Sequence, residues 1–152
     1  MENIQQLFVA IKALIFYEGK ILMLQESSEY EDGNQAGKWS EPGGRINPGE
    51  HWREALIREI QEETGLEVEI KKSIGVDEWF PVIRGVPSQV VGMFFECLAK
   101  SNAVKLSQDH SNYKWFEPTE ILELTNCTPE TQNMVREYLN LSSQHPRSAT
   151  EG

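Results

Sequence analysis

Between Pro48 and Gly65 the sequence leaves little choice of local structure. Pro48-Gly49-Glu50 opens a helix, and no further proline interrupts the chain before Pro81. Gly65 supplies the stop, because glycine accepts the left-handed conformation that ends many helices. At about 100° per residue, a helix running to Thr64 gathers Glu59, Glu62 and Glu63 on one arc roughly 100° wide. Trp52, Ala55 and Leu56 share nearly the same azimuth one to two turns earlier, so this arc is expected to face inward. Three carboxylates on an inward arc repel one another and are costly to desolvate. A hard divalent cation removes that cost, and all-oxygen ligands suit Mg²⁺ or Mn²⁺. The competing explanation is a solvated acidic helix end.

The elements around this helix set the fold class. Leu7 to Phe16 and Ile21 to Leu24 are apolar runs separated by Glu18-Gly19-Lys20, which reads as a hairpin. Ser27 to Gly37 reads as a polar loop, and Trp39 to Gly44 as a short strand broken by Pro42-Gly43-Gly44. After the helix, Leu66 to Ile74 alternates as a strand with one wet face. Gln89 to Leu98 reads as a buried strand and Tyr113 to Phe116 as a short one. Helices are expected at Pro118–Leu124 and Pro129–Leu141. Strands on both sides of a central helix, then a final helix, indicate an α/β or α+β sandwich. One domain is expected over residues 1–141, with 142–152 as a flexible tail.

Composition narrows the function. The chain has 152 residues, with 14 basic and 24 acidic side chains and a formal net charge of −10. That size supports one core without staples. The acidic balance argues against binding a nucleic-acid polymer or an anionic membrane surface. It leaves room for small phosphorylated ligands, because divalent cations supply positive charge. The start Met-Glu-Asn-Ile-Gln-Gln lacks the basic region of a secretory signal. Lys12 interrupts the first apolar run, and Val90 to Ala99 is too short to span a bilayer. Cys97 and Cys127 have no metal-ligand spacing, and Cys97 reads as a buried strand thiol. The expected location is cytoplasmic.

From Gly44 to Leu66 the order is Gly44, five residues, Glu50, seven residues, Arg58-Glu59-Ile60, Gln61, Glu62-Glu63, Thr64, Gly65-Leu66. This resembles the complete signature of the Nudix hydrolases, MutT-like members included. The motif covers 23 residues. A looser similarity takes in Trp39 and the segment from Asp109-His110 to Trp115. The resemblance implies a mixed β-sheet sandwiched between helices, and Mg²⁺- or Mn²⁺-dependent hydrolysis of a nucleoside diphosphate linked to another group. By motif position it implies Glu59, Glu62, Glu63 and the Gly43 carbonyl as metal ligands. Glu59 is also implied as activator of the attacking water, Arg58 as its orienting partner, and Glu50 as an assistant at the helix start. Gly44 and Gly65 are implied as a tight turn and a helix stop. Such chemistry stabilises charge on phosphoryl oxygens while water attacks in line.

Outside the motif, Asp109 is a candidate further carboxylate, and His110 beside it a candidate substrate contact. Arg45 is placed to meet a phosphate, and Trp79 and Phe80 are candidates to stack on a base. Glu41 stands where an apolar residue commonly precedes Pro-Gly-Gly. It either reads a base edge or faces solvent. Overall the reading is a MutT-type nucleoside triphosphate pyrophosphohydrolase, monomeric or homodimeric, acting on a small-molecule nucleotide. Pro81, fifteen residues beyond Leu66, supports an ADP-ribose or nucleotide-sugar pyrophosphatase as the alternative. A Nudix-fold sensor that binds nucleotides without hydrolysing them is the alternative of another class.

Overall fold

The computed structural model describes residues 3–27 and 36–144. The strands are β1 (Gln6–Tyr17), β2 (Lys20–Glu26), β3 (Trp39–Ser40), β4 (Gly43–Arg45), β5 (Val68–Trp79), β6 (Val82–Ile83), β7 (Val86–Ala99) and β8 (His110–Phe116). The helices are α1 (Trp52–Thr64), α2 (Pro118–Glu123) and α3 (Pro129–Gln144). The sheet runs β3-β2-β1-β7-β5, with β4 on β1, β6 on β7 and β8 on β2.

Strand β1 organises the sheet. One edge pairs in parallel with β7 from Gln6↔Ser88 to Phe16↔Leu98. The other edge is divided: β4 takes Ala10 to Lys12, and β2 takes Phe16 and Tyr17. Alternation along β1 then feeds two cores. Ile11, Ala13 and Ile15 meet Ala55, Leu56 and Ile60 of α1. Leu14 and Phe16 meet Ile121 of α2 and Met134 and Val135 of α3. Each fully buried aliphatic side chain contributes roughly 1.5–3 kcal/mol. The result is the expected α+β architecture, a mixed sheet between helices.

Several boundaries moved for identifiable reasons. Helix α1 begins at Trp52, not Pro48, because Gly49 at φ 85° cannot be helical. Residues 47–50 instead close a turn, with Glu50 N–H donating to the Asn47 carbonyl at 2.9 Å. Strand β5 extends to Trp79 by absorbing register irregularities between Ile70 and Gly75, where its alternation lapses. The β6–β7 hairpin was not anticipated; it turns on Arg84 at φ 49° and Gly85 at φ 78°, a two-residue turn that positive φ favours. Helix α3 reaches Gln144 rather than ending at Leu141. Of the expected tail, residues 145–152 lie outside the described residues, as does most of the expected loop from Ser27 to Gly37.

Cys97 is buried as expected, and so is Cys127; both are free thiols. Desolvation first, and then neighbouring carboxylates, push each thiol up to about 12. Among the described residues no helix is long and apolar enough to cross a membrane.

Gly65 caps α1 at φ 70°, its N–H donating to the Gln61 carbonyl at 2.9 Å. Gly65→Ala forces a Cβ into that left-handed geometry, at a cost of about 1 kcal/mol. Thermal denaturation should show Tm falling by about 3 °C; an unchanged Tm would show that the cap contributes nothing.

Candidate active site

The site begins with a close approach between β4 and α1. Glu63, in the last turn of α1, is 8% exposed. Its Oε1 accepts a hydrogen bond from Gly43 N–H at 3.0 Å. One turn earlier, Glu59 lies against Gly44, where an added Cβ would stand 2.5 Å from Glu59 Cδ. Gly44 has no positive φ. It is needed here as room for the Glu59 carboxylate, not as the tight turn expected from its motif position.

Arg58 holds the other side of the cluster. Its Nε and Nη2 donate to the two oxygens of Glu50 at 2.6 and 2.9 Å. Its Nη1 donates to Glu59 Oε1 at 3.0 Å and to Glu62 Oε2 at 3.3 Å. Such a paired-fork contact fixes both planes. The Arg58 guanidinium holds the Glu50 carboxyl below the usual carboxylate range, and Glu50 in turn raises Arg58. Arg58 thus touches Glu59 as expected, but its principal partner is Glu50, which precedes the helix and is invisible to helical periodicity.

The inward arc is uneven. The side that α1 buries runs through Ala55, Leu56, Ile60, Glu63 and Thr64. Glu59 is mostly covered, whereas the Glu62 side chain is 58% exposed. Trp52 is exposed too, stacked on Phe95 at 4.6 Å. Desolvation pushes the Glu63 carboxyl up to about 8, with Glu59 and Asp109 adding to the rise and Lys12 and Gly43 N–H opposing it. His110 Nε2 lies 3.4 Å from Glu63 Oε2. Burial, then Lys12, lowers His110 to about 4, so it is a neutral imidazole at ordinary pH. Among the described residues, none is a hydrogen-bond partner for the buried His110 Nδ1 and Ser107 Oγ.

The α1 carboxylates border a cleft of about 360 Å³, which Glu50 does not line. Arg58, Glu59, Glu62, Glu63 and Gly43 line it, joined by Asp109 just before β8 and His110 at the start of that strand. Arg45 also lines it, its guanidinium carbon 4.6 Å over the Phe8 ring. Glu41 and Trp79 line the cleft as well, but Phe80 does not and is 48% exposed. Glu41 does not face solvent: it is 4% exposed, bonded to Thr131 and 3.5 Å from Lys12 Nζ.

Sequence reasoning missed three residues here. Lys12 was noticed only as a break in an apolar run; that break was the available signal. Gly92 provides space for Trp79, since a Cβ there would stand 2.7 Å from the indole. Thr131 is buried at the start of α3, and nothing in its sequence context marked it.

The groups able to hold a divalent cation are hard oxygens, Glu59, Glu62, Glu63 and the Gly43 carbonyl. A carboxyl raised first by burial and then by Glu59 and Asp109 would be stabilised in its charged form by a cation bound there. Among the described residues, however, no three His, Cys, Asp or Glu side chains already stand at metal-binding distances. Glu59 and Glu62 are turned to Arg58, and Glu63 to Gly43.

The NUDIX domain profile matches residues 7–138. The chain belongs to the Nudix hydrolase family. It is 26% identical over 136 residues to the CTP pyrophosphohydrolase of Escherichia coli K12, spanning 90% of this chain and 94% of that protein. It is 34% identical over 91 residues to the asymmetrical bis(5′-nucleosyl)-tetraphosphatase of Rattus norvegicus, spanning 57% and 60% of the two chains. Among solved structures, the MutT protein of Methanosarcina mazei Go1 superposes with a TM-score of 0.76 at 27% identity, covering 94% of this chain and 98% of that one. Nudix hydrolases act on nucleotide-type small molecules and generally use a divalent metal.

The Glu63 shift has a testable sign. Its folded-state pKa is raised above the unfolded value, so metal-free stability from this group is present at low pH and is lost as pH rises toward about 8. Glu63→Gln imitates the neutral acid. In the presence of a chelator, the Tm of Glu63→Gln minus that of wild type should increase between pH 5 and pH 9, by about 3 °C or more. A constant or shrinking difference would show that Glu63 is not desolvated in the folded protein.

Proposed function

We propose that the protein is a Mg²⁺- or Mn²⁺-dependent pyrophosphohydrolase of MutT type, cleaving a diphosphate linkage in a nucleoside triphosphate or related nucleotide. The observation that carries this reading is the packing of Glu59 and Glu63 against the Gly43-Gly44 backbone, in a cleft that also presents Lys12 and Arg45. Carboxylates to hold a cation and cations to meet phosphate share one opening.

In this reading Glu59, Glu62, Glu63 and the Gly43 carbonyl hold the metal. Bound there, the metal would offset charge on phosphoryl oxygens and acidify a water. Glu59 accepts the proton of the attacking water. Arg58 keeps Glu59 in one rotamer, and Glu50 keeps Arg58 in place through its paired contact. Asp109 supplies a further carboxylate from the loop. Arg45 meets a phosphate, Trp79 stacks on the base, and Glu41 reads its edge. Phe80, being off the cleft, contributes least. The substrate is a free nucleotide rather than a polymer, given the net charge of −10. The unit acting is one domain over residues 1–141, as a monomer or homodimer in the cytoplasm.

A nucleotide sugar such as ADP-ribose is the second reading, favoured by Pro81 lining the cleft. A panel of nucleoside triphosphates and ADP-ribose, with and without Mg²⁺ and resolved by chromatography, separates the two. Tight binding without turnover across the whole panel would instead indicate a sensor.

On the true substrate at saturating metal, Glu59→Gln should lower kcat by at least ~10²-fold. Asp109→Asn should cost less if that residue is auxiliary. Near-wild-type kcat in Glu59→Gln would remove α1 from the reaction centre. Gly44→Ala should melt within a few degrees of wild type, since a flexible side chain yields to the new methyl, yet lose activity because Glu59 is displaced. Millimolar Mg²⁺ or Mn²⁺ should raise the Tm of wild type by binding the folded state. No shift with either ion would count against a metal site.

A further inference from the structure

The part of the cleft away from the α1 carboxylates contains a buried acid that the phosphate chemistry does not use. Glu41 lies between β3 and β4 and is 4% exposed. Its Oε2 accepts the hydroxyl proton of Thr131. Thr131 Oγ is in turn 2.6 Å from Thr128 Oγ. Because the Thr131 proton is committed to the carboxylate, Thr128 must donate to Thr131. The chain from Thr128 through Thr131 to Glu41 therefore runs one way and pins one carboxylate oxygen. The other oxygen, Oε1, is 3.5 Å from Lys12 Nζ.

Apolar side chains share this face of the cleft with the pair, Arg45 standing across from Ala10. Ala10, Trp79, Ile83 and Val90 line the same cleft. Register places them together: Ala10 pairs with Gly92 and Trp79 with Val90, on the sheet face that Lys12 also shares. The absent side chain at Gly92 leaves room for the indole. An indole wall, an aliphatic floor and one oriented polar pair at the end have the composition of a site for a flat heterocycle.

We propose that Glu41, with Lys12 beside it, is a specificity-determining residue that selects nucleobases carrying an exocyclic amino group, namely cytosine, adenine and guanine, over uracil and thymine. This rests on the nucleotide-hydrolase reading and deepens it. A carboxylate is an acceptor only, and it requires an N–H from the base edge. The amino bases offer an N–H₂ group, and each also has an acceptor next to its donors for the Lys12 ammonium. Uracil and thymine offer a single ring N–H flanked on both sides by carbonyl oxygens. A carboxylate reaching that N–H meets a like-signed oxygen, and Lys12 can relieve one side only. Discrimination then arises as much from repulsion of the wrong base as from attraction of the right one.

The test is the ratio of kcat/KM for CTP over UTP. Wild type should favour CTP by at least ~10-fold, the scale of one good base-edge contact. In Glu41→Gln the amide presents either an acceptor or a donor, so the ratio should fall to within ~3-fold of unity. Thr131→Val frees the pinned oxygen and should lower the ratio part of the way; it is the deciding variant if Glu41→Gln does not melt cooperatively. A general loss of structure would depress both substrates and leave the ratio alone. Equal use of CTP and UTP by wild type, or an undiminished ratio in the deciding variant, overturns the proposal. If no triphosphate is hydrolysed, the function above fails separately. Binding of CMP and UMP to the metal-free protein, followed by NMR, then decides: a CMP preference lost in Glu41→Gln sustains the proposal, and equal or absent binding overturns it.

Discussion

The cleft is organised by how closely the β4 backbone approaches helix α1. Gly43 is held by its antiparallel pairing with Lys12 on one side and by its N–H bond to Glu63 on the other. A Cβ at Gly43 would run into the β1 backbone, and one at Gly44 would displace the Glu59 carboxylate. That spacing brings carboxylates of the helix directly onto a strand whose own position is fixed by the central strand β1. The geometry of this acidic cluster is thereby tied to sheet register rather than to a loop. Glu59 and Glu63 could not both reach this place if the helix were rotated by one residue, because Ala55, Leu56 and Ile60 lock its azimuth in the core.

Electrostatics then follow from the few cations placed inside. The chain carries ten more negative than positive side chains. Arg58 is committed largely to Glu50, through the shortest contacts in the cluster. Lys12 is the cation that acts on the buried groups in every direction: it opposes the rise of Glu63, depresses His110 and lies beside Glu41. It does not suffice, since Glu63 remains well above the usual carboxylate range. Burial is the main cause of that rise, with Glu59 and Asp109 adding to it, and a cation bound beside these carboxylates would offset it.

The sequence made much of this legible, and the limits have physical causes. The helix, its glycine stop, the first hairpin and the carboxylate triplet follow local periodicity and backbone preference, so one strand of sequence contains them. The signature from Gly44 to Leu66 identified the family because its fixed residues carry backbone and charge requirements together. What escaped depends on distant segments meeting. The bond of Glu50 to Arg58 crosses the boundary of the helix, and the fit of Trp79 over Gly92 depends on β5–β7 register. The unevenness of the acidic arc likewise depends on which azimuth the core selects. Even the function of Gly44 was misassigned, because its value lies in what it leaves empty for a side chain fifteen residues later.

Lys12 shows how the two parts of the cleft are joined. It lies where β1 passes from pairing with β4 toward pairing with β2. Its neighbours Ile11 and Ala13 point into the α1 core, so alternation turns Lys12 to the opposite face, toward Glu41 and the apolar wall. Its backbone, meanwhile, pairs with Gly43, the residue that holds Glu63. A single strand position thus contributes main chain to the carboxylate half and an ammonium to the other. Any ligand spanning the cleft would contact both halves through this residue. Its charge also affects both acids, so a cation bound near Glu63 would lessen the claim of that carboxyl on Lys12 and leave the ammonium more fully to Glu41. The interruption in the first apolar run is, on this view, the point at which fold, charge and recognition meet.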